Sequence, residues 1–207
     1  IEEELARNRA IHIAHRVERR LSGGLGDVAA LHAGGIELRL EPGCPQLSDE
    51  LGGRGAVLSW YEEIPVVIVW RTTSSQHTSN YIDDGEWKLA IRAAGEHCLF
   101  GLREGPWDRT RWNELLTKSA EFAERSGLLA DSGRIELLHL IGGALAGSGH
   151  ADGSLLSRLC MLGESAVIVP KGIPSDSNWQ QQVVENLQMR NLGATAAFVA
   201  SDALNLD

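Results

Sequence analysis

Phenylalanine and tyrosine are scarce in this chain, three and two in 207 residues, and cysteine is limited to Cys44, Cys98 and Cys160. The cysteines are odd in number, far apart and form no C-x-x-C pair, which argues against a disulfide scaffold or a zinc knuckle and favours a reducing, cytoplasmic setting. No apolar run reaches the roughly 18–20 residues that span a bilayer, and the start carries no signal-peptide hydrophobic region, so no membrane contact is expected. Basic charge is also short. Nineteen Lys and Arg stand against 28 Asp and Glu, a formal net charge of −9, which disfavours extensive contact with nucleic acid.

What the chain does have is glycine, 23 residues against six prolines, a balance that suggests frequent turns within a folded chain. Its length suits a single α/β domain over 1–207, with a possible subdivision near 103–106. Ile1 is not an ordinary initiator, which suggests a segment processed or excised from a larger protein.

Periodicity supplies the elements. Leu5, Ile11, Ala14, Val17 and Leu21 recur near helical spacing and predict a first helix with that packing stripe, stopped by Gly23 and Gly24. Ile36, Leu38 and Leu40 alternate with charges, as in a half-buried strand. Val66–Trp70 is apolar throughout and β-branched, as in an interior strand. Residues 87–102 read as two strands joined by Gly95, and residues 107–127 as a helix ended by Gly127. RIELLHLIGG reads as a further strand, and Ser154–Leu162 as a short helix. The last third predicts strand, helix, strand: SAVIVP, a helix containing Trp179, Val183 and Leu187 capped by Ser175 or Asp176, and Ala196–Ala200. These add up to an α/β fold with a mixed, partly parallel sheet packed by helices and a C-terminal βαβ unit.

The stretch LIGGALAGSGHADGSLLSRLC offers the most chemistry. If a strand precedes it and a helix follows, Gly147 and Gly149 would present amides to a small anion or a nucleotide. It has neither the GKS/T of a P-loop nor a clean GxGxxG, and an ordinary flexible connection is the reading it favours. Ser148, His150 and Asp152 supply the residue types of a nucleophile, a base and an orienting group. Cys160 paired with His139 or His150 is the thiol version, and its leucine neighbours suit a buried structural thiol. Arg71 and His77 could line a polar pocket where the Val66–Trp70 strand ends. Trp107, beside Arg109 and Arg111, could anchor a protein partner. His12 and His15 sit three apart on the first helix but lack a third ligand, and Asp83, Asp84, Glu86 and Lys88 form only half of a metal-dependent nuclease constellation, so neither a metal site nor a cofactor is expected.

These incomplete signatures favour a non-catalytic protein-interaction or regulatory domain of a larger intracellular protein, its partner another protein or another domain of the same polypeptide. The alternatives are a small-molecule hydrolase or transferase using a His/Cys or His/Ser site, and an anion- or nucleotide-sensing domain.

Overall fold

The structure is a computed structural model that describes residues 2–21, 26–41, 55–73, 84–160, 162–174 and 176–200. The chain divides into two compact units: residues 1–63, 78–84 and 200–207 form the first, residues 64–77 and 85–199 the second. Residues 103–106 lie inside the second unit.

In the first unit, α1 (Glu2–Arg20) is followed by α2 (Asp27–Ala33), β1 (Ile36–Arg39) and β2 (Val57–Trp60). The two strands pair antiparallel, Ile36 opposite Trp60 and Leu38 opposite Leu58, and Ile36 and Leu38 are buried, as alternation demands. The small core of α1 and α2 joins Ile11 to Ala29 and Val28. The first helix forms where its spacing predicts, but its stripe faces the other way. Of the five stripe residues only Ile11 is buried, while Leu5, Val17 and Leu21 are 49%, 49% and 67% exposed, as is Ile13 at 65%.

The second unit contains β3 (Pro65–Arg71), α3 (Gly85–Leu102), α4 (Trp112–Arg125), α5 (Ser132–Gly147), β4 (Leu155–Leu159), β5 (Ser165–Pro170), α6 (Trp179–Gln188) and β6 (Leu192–Phe198). Its four strands lie in the order β4-β5-β3-β6, and every neighbouring pair is antiparallel. The expected partly parallel sheet is therefore corrected. The helical crossover from β5 to β6 is long enough for parallel pairing, but β3 occupies the place between them and pairs antiparallel with both. An apolar, β-branched strand suits that central position, buried at Val66, Val67 and Val69.

One face of the sheet carries the core. Val67, Val69, Ala166 and Ile168 pack against Leu137, Ile141 and Ala144 of α5 and against Trp179, Val183 and Leu187 of α6. Three local readings change. Residues 85–102 form one helix, because Ala94, Cys98 and Leu102 are buried at helical spacing while Leu89 and Phe100, which complete the apparent alternation, are exposed. RIELLHLIGG is helical: Asp131 accepts a hydrogen bond from Arg134 N at 3.0 Å and starts α5. Residues 155–159 are a strand, held by five pairings to β5 from Leu155 opposite Pro170 to Leu159 opposite Ala166.

Candidate functional site

The interior side of α1 is polar. Arg7, His12, His15 and Glu18 are only partly exposed, while Leu5, Ile13 and Val17 of the same helix face outward and only Ile11 among its apolar stripe is buried. Glu18 is the most sheltered of the cluster around it, its side chain 7% exposed beside His15 at 16%, with 3.6 Å between Glu18 Oε2 and His15 Nδ1. Glu18 Oε1 accepts a hydrogen bond from Asp27 N at 3.0 Å, which ties the end of α1 to the start of α2. The next element supplies the counter-charge. Arg39, at the end of β1, donates through Nη2 to Gly26 O at 3.0 Å and to Glu37 Oε1 at 2.8 Å.

This placement needs a glycine. At Gly26 the backbone has φ +146°, and an added Cβ would collide with the Arg39 guanidinium. Residue 26 therefore lets the arginine lie across the chain immediately before Asp27.

The electrostatics single out Asp27. Its carboxyl is pushed above the ordinary aspartate range first by desolvation and then by repulsion from Glu18, with Arg39 pulling the other way. Asp27 keeps an exposed surface, so this desolvation is partial and the group remains reachable. Several nearby ring and carboxylate atoms, His12 Nε2, His15 Nδ1, Glu18 Oε2 and Glu37 Oε2, are shielded from solvent without a hydrogen-bond partner. A reachable carboxyl with a raised pKa, flanked by a second carboxylate and an arginine, has the attributes of a general base.

The described residues that sequence offers as catalytic, ligand-binding or protein-binding candidates lie elsewhere, in the second unit, and they do not converge. Cys160 donates its N–H to Ser165 O at 2.9 Å, and Arg71 donates its own to Glu164 O at 3.0 Å, both at the β4–β5 turn. Ser148, Gly149, His150 and Asp152 precede the opposite end of β4, whose five residues span about 17 Å. A Cys160–His150 dyad is thus divided by a strand. His139 is an exposed residue part-way along α5. Shielding of the Cys160 thiol raises its pKa, with a Ser165 hydrogen bond opposing, although the residue as a whole is exposed. The thiolate fraction is reduced accordingly.

The glycine-rich stretch runs from helix to strand, the reverse of a phosphate-binding turn. Gly147 ends α5, so carbonyls face the loop where amides are required. The amides of Ser148, Gly149 and His150 are already donated to carbonyls of Ala144, Ala146 and Leu145. Gly143 and Gly147 instead admit α6: an added Cβ would stand 3.6 Å from Arg190 Nε and 3.0 Å from Asn186 Oδ1 respectively. Ser148 Oγ donates to Ala144 O at 2.9 Å. Asp152 accepts from Ser154 N and Oγ at 3.0 and 2.7 Å, bonds that lower its pKa.

Arg71 forms ion pairs with Glu136 and Glu164, both at 2.8 Å, whereas His77 lies outside the described residues. Arg109 stacks on Trp112, 5.5 Å from the ring centroid. Arg111 donates to Glu104 O and Gly101 O at 2.8 and 2.6 Å, and Trp107 is half-buried. Among the described residues no group of three or more His, Cys, Asp or Glu side chains forms a metal-binding cluster, and no helix is long and apolar enough to cross a membrane.

Sequence reasoning passed over Glu18, Asp27 and Arg39 and weighed His15 only as a metal ligand. A signal was present. Ile11, His15 and Glu18 share a helix face by their i, i+4, i+7 spacing, so burying Ile11 carries a histidine and a glutamate inward with it.

No family model matches the chain. Over 123 residues it is 32% identical to a protein named pantoate kinase from Thermococcus kodakarensis, a match covering 58% of this chain and 36% of that protein. Among solved structures, a phosphotransferase related to the CoA biosynthesis pathway superposes with a TM-score of 0.63 at 25% identity, over 94% of this chain and 55% of the other. The chain thus spans about a third of the curated relative and just over half of the solved one. These likenesses to enzymes overturn the expectation of a non-catalytic regulatory or protein-binding domain and favour the transferase alternative.

Proposed function

We propose that this chain belongs to a phosphotransferase that moves the γ-phosphoryl group of a nucleotide onto the hydroxyl of a small hydroxy acid such as pantoate. The observation that carries the reading is Asp27, a reachable carboxyl with its pKa raised beside Glu18 and with Arg39 close by. In the reaction Asp27 accepts the hydroxyl proton as the substrate oxygen attacks the γ-phosphorus. The bond from that phosphorus to the bridging oxygen breaks, and nucleoside diphosphate leaves. Glu18 holds the backbone of Asp27, and Arg39 favours its ionised form. No protein nucleophile is required, because the substrate hydroxyl is the nucleophile. Magnesium enters with the nucleotide as part of the substrate. The two relatives, one named a kinase and the other a phosphotransferase, support this reaction class.

The test is formation of ADP from magnesium–ATP that depends on pantoate, in wild type and in Asp27→Asn. Loss of the base is expected to lower kcat by roughly 10²–10⁴-fold. Folding raises the Asp27 pKa, so the stability contributed by this carboxyl is lost as pH rises through its folded-state value. Replacement by a neutral amide should therefore hold or raise Tm at neutral pH. No pantoate-dependent ADP from wild type, or full activity in Asp27→Asn, rejects the reading.

A further inference from the structure

The interior strip of α1 extends beyond Glu18 and His15 to His12 and Arg7, and its charge changes sign along the way. Glu18 and Asp27 make one end acidic. At the other end, Arg7 Nη2 donates to His32 O at 3.4 Å, and among the described residues Arg7 forms no ion pair with a carboxylate. Between them, His12 Nε2 is shielded from solvent with no hydrogen-bond partner. His12 and His15 project from the same side of the helix, and Glu18 lies six positions after His12, about 9 Å along the axis.

We propose that His12 is a substrate-binding residue that donates a hydrogen bond to the carboxylate of the hydroxy acid. This inference rests on the phosphotransferase reading for the identity of the ligand. Electrostatics orient such a ligand. Its carboxylate is repelled by Glu18 and Asp27 and attracted by Arg7, so it settles at the histidine end and leaves its hydroxyl at the carboxylate end. The unpaired Nε2 then gains an acceptor.

Nucleotide-free calorimetric titration with pantoate, applied to wild type, His12→Ala and His12→Gln, tests the inference. The glutamine amide reaches about as far as Nε2 and keeps a donor. Pantoate affinity should fall roughly tenfold or more in His12→Ala, the scale of a hydrogen bond to a charged group, and recover in large part in His12→Gln. The turnover assay should show the same pattern in KM, with kcat at saturation within about threefold of wild type, as expected when binding is lost equally from ground and transition states. Equal pantoate affinity in wild type and His12→Ala, or a fall in kcat with unchanged KM, overturns the role of His12 and leaves the kinase reading intact. His12-dependent binding without phosphoryl transfer does the reverse. A wild-type chain that does not bind pantoate overturns the assignment of His12 as its ligand.

Discussion

Helices α1 and α5 solve opposite problems. In α5 the apolar residues Leu137, Ile141, Ala144 and Leu145 are buried, and the sheet and α6 complete the core around them. In α1 the apolar ladder of Leu5, Ile13, Val17 and Leu21 is exposed, while Arg7, His12, His15 and Glu18 turn toward the interior side. The first arrangement is what burial of apolar surface dictates. The second sets solvent-shielded polar atoms against that tendency, and such a cost persists where the groups are used. On the proposed reading, α5 serves stability and α1 serves chemistry.

The comparison breaks most severely if a core change in the second unit acts on chemistry. Ile141 is fully buried between the sheet and α6, and Ile141→Ala should lower unfolding free energy by about 2–5 kcal/mol. Urea unfolding followed by tryptophan fluorescence measures the loss. Turnover per folded molecule, assayed well below the new Tm, should stay at the wild-type value. A fall in kcat at full folding would place chemistry in the second unit.

A smaller effect sharpens the same contrast. Ser148→Ala and Cys160→Ser remove the hydroxyl and thiol that resemble nucleophiles in the sequence. Ser148 Oγ is engaged with the last turn of α5, and Cys160 stands a strand's length from His150. Each substitution should leave kcat/KM within about twofold of wild type, a difference of some 0.4 kcal/mol in transition-state free energy. A hundredfold loss in either variant would restore a covalent route.

Much of the architecture was legible because periodicity reports burial. β3 reads as an interior strand from its unbroken apolar run. The helix at Trp179, Val183 and Leu187 reads correctly because its burial follows its spacing. The pattern fails where exposure breaks it. Leu89 and Phe100 mimic a strand because nothing in the sequence tells that they face solvent. The glycines at 147 and 149 resemble a phosphate loop because composition does not record chain direction, and here Gly147 ends a helix against Asn186 and Arg190. The position of β3 between β5 and β6 is a long-range pairing that no local pattern encodes. Glu18, Asp27 and Arg39 escaped notice for a related reason: they are separated by eight and eleven residues, and only the fold places them together. Asp83 and Ser175, also weighed in the sequence, lie outside the described residues.

The pH dependence of kcat/KM in wild type, Glu18→Gln and Arg39→Met tests the central claim most directly. A base is active when deprotonated, so the rate falls as pH drops through its pKa, and the raised carboxyl of Asp27 should place that acid limb above the ordinary aspartate range. Glu18 raises this pKa and Arg39 lowers it. The acid limb should therefore move to lower pH in Glu18→Gln and to higher pH in Arg39→Met. An acid limb unmoved in both variants would contradict the assignment of Asp27 as the base.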